Sequence, residues 1–257
     1  MSIIIISSDA REIEEKIAGK IVEAMGYNRL GRQILADVAA KYQIDPGKLS
    51  EAMETTPSLF KKLPSRKWRH YLACVEAEVL DRLLADNIVC WGLAAHLYVT
   101  GISHVLKVRI LSGSSMMGEK SRAGKLPQRK KWSLAAYNYD ETDLSRYDLV
   151  INLDQIDPAE AVKTITGAVK YRKFQVMTYS MKCLSNLALA AKVNVTLSKS
   201  MADIKIEARD GAVVVSTKAL NRQKRKKIET IKELAGNVDG VSYVEVHVEK
   251  NILKETA

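Results

Sequence analysis

The residues with the clearest potential for chemistry lie near the start of the chain, at positions 7–11, which read Ser-Ser-Asp-Ala-Arg. They follow an apolar run at 3–6, typical of a buried strand, and precede a segment at 11–25 with helical periodicity. A helix that begins directly after a strand offers free N–H groups and the positive end of its dipole to phosphate oxygens. The arrangement predicts a phosphate-binding position formed by Ser7, Ser8 and Arg11.

The connection at 7–10 lacks the residues that normally wrap a phosphate group. A phosphate loop of the form G-x-x-x-x-G-K-[ST] needs glycines for close backbone approach and a lysine for charge. Positions 7–10 contain neither, and Asp9 places a negative charge where phosphate would bind. Because such a loop supplies several charge-assisted bonds of about 1.5–3 kcal/mol each, its absence predicts that a triphosphate donor site has been lost.

A second concentration of charge lies near the C-terminus, in a predicted basic helix. It could contact anionic lipid, at about 1 kcal/mol per charge, or nucleic acid phosphates with a marked salt dependence. The alternative is a solvated helix face. We find no DNA-binding motif. The residues of this predicted anionic-surface site are Arg222, Lys224, Arg225, Lys226 and Lys227.

Composition sets limits on the class of protein. The 257 residues are 47% hydrophobic with a formal net charge of +10, enough for one large or two ordinary domains. The charge fits nucleic acid, anionic lipid or nucleotide partners, and equally plain solubility. No apolar run approaches the roughly 18 residues of a membrane span, and the N-terminus does not resemble a signal peptide, so we predict a cytoplasmic protein.

The cysteines and histidines show no metal-ligand spacing. Cys74, Cys90 and Cys183 are odd in number and widely separated, which favours reduced, buried thiols over disulfides. Cys90 lies in an apolar run without a neighbouring base, so we do not expect a nucleophile. We predict no metal site, and we expect the three tryptophans to pack in or near the core.

Strands and helices alternate through the first two thirds of the chain, which predicts an α/β fold with a parallel sheet and helices on both faces. After residue 172 the pattern changes to helix, two strands, helix, strand, a small α+β unit. We therefore predict two domains, 1–172 and 173–257. Strands are expected at 3–6, 88–91, 105–111 and 147–153, then at 202–208, 212–217 and 241–248. Helices are expected at 11–25, 30–41, 48–53, 71–86, 94–99 and 158–171, then at 180–191 and 222–234.

The first part resembles the cytidylate-kinase-like family, a branch of the P-loop nucleoside monophosphate kinases. Members of the family typically contain the segments S-R-x-x-G-S-G-G-R-E-I-A and G-Y-x-x-x-D-R-E-I-L. This sequence matches parts of them with Arg-Glu-Ile at 11–13, Gly-Tyr at 26–27 and Arg-Gln-Ile-Leu at 32–35. The most specific match is Tyr-Asp-Leu-Val-Ile-Asn at 147–152. The glycines of the phosphate loop are missing, and Leu93 stands where the family usually has an arginine.

This resemblance implies a P-loop-kinase-like sheet and, for an active enzyme, ATP-Mg²⁺ as the donor. By family position Arg32 would meet the acceptor phosphate, and Arg129, with Arg122 in the same basic stretch at 113–131, would belong to a lid. The alternative for Arg32 is a surface arginine paired with a carboxylate, and for Arg129 a solvated basic segment. Leu93 argues against ordinary monophosphate recognition.

The second part resembles a BON domain. Asp-Ile-Lys-Ile at 203–206, Asp-Gly-Ala-Val-Val-Val at 210–215 and Val-Asp-Gly-Val-Ser-Tyr-Val at 238–244 follow that domain's signature. The usual glycine after the second strand is not evident. The resemblance implies contacts with a protein partner or an anionic membrane surface.

These observations favour a non-catalytic, nucleotide-kinase-like binding or regulatory protein, a pseudokinase with a degenerate Walker A segment and a BON-like interaction domain. One alternative is an active nucleoside monophosphate kinase, a transferase, with an atypical donor loop. A second is an adaptor that binds anionic lipid or nucleic acid through its basic helix. A possible nucleotide is the expected small-molecule partner, and we predict no obligatory cofactor.

Overall fold

A five-stranded parallel sheet forms the centre of the first part of the computed structural model, which describes residues 2–8, 10–57, 66–112, 119–219 and 223–250. The side chains of 119–127 and 250 lie outside that description. The sheet has the order β2-β3-β1-β4-β5. Its strands are β1 (Ile3–Ser8), β2 (Asn28–Leu30), β3 (Ile88–Trp91), β4 (Val105–Leu111) and β5 (Leu149–Asn152).

Helices cover both faces of this sheet, and the isoleucines of β1 show why. Ile3 and Ile5 join one buried cluster with the long helix α4, whereas Ile4 and Ile6 join a second cluster with α1 and α7. Because side chains alternate along a strand, a run of apolar residues is needed where both faces are covered. The helices are α1 (Arg11–Met25), α2 (Ile34–Tyr42), α3 (Pro46–Ala52), α4 (Arg66–Leu83), α5 (Ala95–Tyr98), α6 (Glu119–Tyr137) and α7 (Pro158–Ala168).

A smaller three-stranded sheet lies in the C-terminal part. Strands β6 (Ile204–Arg209) and β7 (Ala212–Ala219) are antiparallel, and β7 pairs in parallel with β8 (Tyr243–Lys250). The turn between β6 and β7 uses Asp210 and Gly211, both with positive φ (47° and 87°), as two-residue hairpins require. Helices α8 (Thr178–Ser198) and α9 (Lys224–Gly236) complete the predicted helix-strand-strand-helix-strand order.

Helix α8 belongs to the cores of both parts. Leu184 and Ala188, in its first half, are buried in the cluster that contains α4. Val193 and Leu197, further along, are buried in the cluster of the small sheet. The boundary predicted at 172 therefore precedes a helix that both hydrophobic cores share.

The predicted α/β class and the parallel sheet are confirmed, with several local differences. Helix α8 ends at Ser198, seven residues later than predicted. Residues 28–30 form strand β2, so helix α2 begins only at Ile34. The amide of Asn28 donates a hydrogen bond to the carbonyl of Asn87 (2.8 Å), next to β3, and this bond starts the pairing of β2 with β3. Helix α4 begins at Arg66, five residues earlier than predicted, and the basic stretch at 113–131 contributes to helix α6. Among the described residues no helix is both long and apolar enough to cross a membrane.

The shared helix generates a stability prediction. Replacing Leu184, which is fully buried, with Ala should lower the free energy of unfolding by about 2–5 kcal/mol, because it leaves a cavity between α8 and α4. Urea denaturation followed by far-UV circular dichroism measures the change. The control Tyr179→Ala, at a side chain of the same helix that is 77% exposed, should change stability by less than about 0.5 kcal/mol. Equal effects of the two substitutions would contradict the assignment.

Candidate functional site

The carboxyl edge of the parallel sheet gathers most of the polar side chains singled out in the sequence. In a sheet of this strand order, ligands bind beyond the carboxyl ends of the strands, near β1, where the order reverses. Strand β1 ends at Ser8 and α1 begins at Arg11, so the connection is two residues long. The Ala10 amide donates to the Ser8 hydroxyl (3.2 Å), and Asp9 lies outside the described residues.

Two arginines meet at one carboxylate oxygen on this edge. Arg11, in the first turn of α1, and Arg32, just after β2, each donate an Nη2 hydrogen to Oε1 of Glu54, at 2.6 and 2.9 Å. Arg32 also donates to the hydroxyl of Ser50 (3.2 Å) and to the carbonyl of Gly92 (3.4 Å). Its side chain is 22% exposed, against 59% for Arg11. Arg32 is therefore paired with a carboxylate, as the alternative interpretation held, but in a half-buried turn at the sheet edge.

Arg129, on α6, is clamped between a carboxylate, a carbonyl and an aromatic ring. Its guanidinium forms two hydrogen bonds with Glu141, one of them from Nη2 at 2.6 Å, and donates to the carbonyl of Met53 (3.3 Å). It also lies over the ring of Trp132 at 4.8 Å. Glu141 is buried. Such a bidentate pair holds the guanidinium in place, so Arg129 is positioned more firmly than in a solvated segment.

Glu14 lies buried on the inner side of these arginines. It projects from the first turn of α1, and its Oε1 accepts a hydrogen bond from the amide of Gly92 (3.2 Å). Burial raises the pKa of Glu14 to about 7, although the Gly92 amide and the charges of Arg129, Arg109 and Arg32 oppose that rise. The pKa of Arg32 is lowered, first by burial and then by the neighbouring charge of Arg11. The site therefore combines an excess of guanidinium groups with a carboxyl group that titrates near neutrality.

A second group of polar side chains lies deeper, on the sheet face that α5 covers. Arg109, in the middle of β4, is 4% exposed, and its Nη1 donates to the hydroxyl of Ser7 (2.8 Å). The hydroxyl of Tyr147 donates to the carbonyl of Glu141 (2.8 Å) and also reaches Ser7 (3.4 Å). The His96 ring lies 5.2 Å from the Tyr147 ring. Burial, and secondarily the charges of Arg129, Arg109 and Lys107, lower the pKa of His96 to about 3.

The structure thus brings together Ser7, Ser8, Arg11, Arg32 and Arg129 at one edge of the sheet. The side chain of Arg122 lies outside the described residues, although its backbone is part of α6. Sequence reasoning missed Glu14, Glu54, Arg109 and Glu141. Two of these carried a signal in the sequence. Glu14 falls on the apolar face of its helix, three residues before Ile17, and Arg109, like Lys107, interrupts a strand whose other residues are apolar.

The basic residues near α9 do not form a uniform surface. Lys224, Arg225 and Lys226 are exposed in the first turn of the helix, whereas Arg222 lies outside the described residues. Lys227 is half-buried, and its Nζ donates to the carbonyl of Lys218 (2.8 Å) at the end of the small sheet. Burial lowers the pKa of Lys227. Lys227 therefore helps to fix α9 on the sheet, and three described cations are left facing solvent.

The described cysteines and tryptophans serve packing. Cys74 and Cys90 are buried and Cys183 is partly exposed, all as free thiols. Burial raises the pKa of Cys74 to about 12 and that of Cys90 well above its usual value, so neither is an activated nucleophile. Trp68, Trp91 and Trp132 are buried, which confirms the prediction for them.

The strand order and the site at the carboxyl edge define an α/β protein with a nucleotide-kinase-like sheet. Residues 3–115 match the family model described as "Cytidylate kinase-like family", less than half of the chain. A comparison with curated proteins gives no match.

Among solved structures, the chain is similar to an uncharacterized protein from Eubacterium ventriosum ATCC 27560, at 16% sequence identity and a TM-score of 0.46. The alignment covers 66% of this chain and 99% of that one.

The environment of Glu14 predicts a pH dependence of stability. Its folded pKa, about 7, lies above the ordinary value of 4.5, so the folded state holds an extra proton between these values. The contribution of this proton to the stability of the folded state is complete below pH 4.5 and is lost as the pH rises to about 7. Between pH 5 and pH 8 the wild type should lose about 2–3 kcal/mol more stability than Glu14→Gln.

Chemical denaturation of both proteins at the two pH values measures this difference. Other titrating groups occur in both proteins, so their contributions cancel in the comparison. Parallel pH profiles for the wild type and Glu14→Gln would show that the Glu14 carboxyl titrates normally.

Proposed function

We propose that this protein binds a nucleotide through its phosphate group without transferring phosphate, in a binding or regulatory role. The observation that carries the proposal is the convergence of Arg11 and Arg32 on one oxygen of Glu54 at the carboxyl edge of the sheet. Two guanidinium groups directed at a single oxyanion are the arrangement that phosphate recognition uses. The family match over residues 3–115 supports a nucleotide as the source of that phosphate.

We propose that the protein does not transfer phosphate because it lacks groups that phosphoryl transfer requires. The reaction needs a donor triphosphate whose β- and γ-phosphates are held by a loop, a lysine and Mg²⁺. The connection from β1 to α1 has two residues, and the sequence at 7–10 contains no glycine or lysine. Leu93, where the family usually has an arginine, is buried in the core. A site with these features can retain a phosphate-bearing ligand and lack the means to activate a donor.

Glu54 stands where a ligand phosphate would bind. Its side chain is 42% exposed and lies just beyond the end of α3, so it can leave the arginines at little cost to the fold. A phosphate oxygen that replaced its Oε1 would receive the same two charge-assisted hydrogen bonds. Glu54 therefore competes with the ligand and sets the affinity of the site.

Calorimetric titration with CMP, dCMP and UMP tests the proposal. We expect binding by the wild type, and about a tenfold or greater loss of affinity in Arg32→Gln, which removes one charge-assisted contact. The control Lys20→Gln, on the exposed side of α1, should bind as the wild type does. A coupled assay with ATP-Mg²⁺ and the same nucleotides should show no turnover. Turnover at ordinary kinase rates would refute the non-catalytic role and favour an active kinase with an atypical donor loop.

Removing the competing carboxylate should increase affinity. Glu54→Gln keeps the size of the side chain and frees Arg11 and Arg32 from their shared ion pair, so nucleotide affinity should rise by about tenfold. Glu51→Gln, an exposed glutamate three residues earlier, is the matched control and should leave affinity unchanged. Weaker binding by Glu54→Gln than by the wild type would mean that Glu54 supports the ligand.

For the C-terminal unit we propose a BON-like interaction role, supported by its strand order and sequence signature. One observation favours an anionic surface as its partner: three exposed cations, Lys224, Arg225 and Lys226, lie at the positive end of the α9 dipole, where basic residues are unfavourable for the helix. Reversing these three charges to Glu should abolish co-sedimentation with phosphatidylserine vesicles. Unchanged sedimentation, or sedimentation by neither protein, would remove this role.

A further inference from the structure

The guanidinium of Arg109 is buried without a carboxylate partner among the described residues. The side chain is 4% exposed, its one hydrogen bond is to the neutral hydroxyl of Ser7, and its Nε is buried without a partner in the described structure. The ring of Tyr147 lies 6.0 Å from the guanidinium carbon. A buried cation with so little compensation is strongly unfavourable unless an anion joins it.

The groups around Arg109 can serve an oxyanion. His96 is 6% exposed and its Nε2 is also buried without a partner. Since the pKa of His96 is lowered to about 3, the ring is neutral near pH 7 and offers one N–H group. Ser7 adds a hydroxyl that can donate once Arg109 turns to the anion. Buried polar atoms that lack partners are rare in folded proteins, so two of them on side chains that both lie beside the Tyr147 ring require an explanation.

We propose that Arg109, Ser7 and His96 form an inner binding site for a tetrahedral oxyanion, a phosphate group. This site is distinct from the outer pair Arg11 and Arg32: its cation comes from the middle of strand β4, on the sheet face that α5 covers. In this chain the buried guanidinium supplies the positive charge that loop amides and a lysine would otherwise bring to the end of β1. The phosphate is either free orthophosphate or the phosphoryl group of the nucleotide in the proposed function, on which that second source depends.

Thermal unfolding in increasing orthophosphate, at constant ionic strength with chloride as the replaced anion, tests the site. Ligand binding to the folded state raises the melting temperature by mass action. We expect a rise in the wild type, its loss in Arg109→Met, and no change in the response of the control Arg29→Met, an exposed arginine on strand β2 of the same sheet.

The melting temperature without phosphate separates a binding role from a structural one. If the charge of Arg109 is compensated only when an anion binds, Arg109→Met should unfold at the same temperature as the wild type or at a higher one, because an uncompensated charge has been removed. If Arg109 only supports the fold through Ser7, the same substitution should lower the melting temperature, and that result would overturn the proposal. Should Arg109→Met fail to fold, Ser7→Ala provides the second variant, and its phosphate response should be at least halved; a full response would overturn the proposal.

Repeating the titration with CMP and with cytidine distinguishes the two sources of phosphate. Cytidine should give no response. A CMP response at least tenfold more sensitive than that of orthophosphate, and lost in Arg109→Met, assigns the site to the nucleotide; equal responses assign it to free phosphate. An orthophosphate response without a specific CMP response supports the inner site and contradicts the proposed nucleotide function. If neither compound raises the melting temperature of the wild type, the inner site does not exist.

Discussion

The end of helix α3 is the point on which the candidate site depends. A helix leaves its last carbonyl groups without partners in its own backbone, and these groups need donors from elsewhere. Here the Ala52 carbonyl accepts from the indole N–H groups of Trp68 (3.1 Å) and Trp132 (2.8 Å), and the Met53 carbonyl accepts from Arg129. One short helix end thus ties α4 and α6 together. The next residue, Glu54, presents its carboxylate to the two outer arginines.

The carboxylates near this helix end explain how several arginines can lie close together at the site. Burial, and secondarily repulsion from the like charge of Arg11, lowers the pKa of Arg32. Glu54 and Glu141 balance the outer guanidinium groups, whereas the buried Glu14 favours its protonated form and adds little negative charge. The positions of the arginines are consequently set by carboxylates at two points, one beyond α3 and one after α6.

The sequence predicted most of the fold but only part of the candidate site. The strands at 3–6, 88–91 and 105–111 were placed well, because burial on both faces leaves a local signal. The runs at 3–6 and 88–91 are apolar throughout, and Lys107 and Arg109 alone interrupt the run at 105–111. Strand β2 was missed, since its three residues pair only through a partner about sixty positions away. Helix α6 was missed because its basic sequence is not amphipathic. The described contacts of Arg129 and Trp132 hold its C-terminal half against the rest of the fold. Partners such as Glu54 and Glu141 are set by tertiary distance alone, which one sequence does not encode visibly.

The carboxylates of Glu54 and Glu141 also bear on how the proposed binding could occur without phosphoryl transfer. Phosphoryl transfer requires positive charge that is already positioned where negative charge develops on the transferred group. Here the outer guanidinium groups already have anionic partners in the absence of ligand, so part of any binding energy is used to displace Glu54. A phosphate monoester can meet that demand, because it replaces one carboxylate with a group of higher charge. A donor triphosphate needs further contacts along its chain, and the sequence at 7–10 contains no glycine or lysine of the kind that a phosphate loop uses to make them.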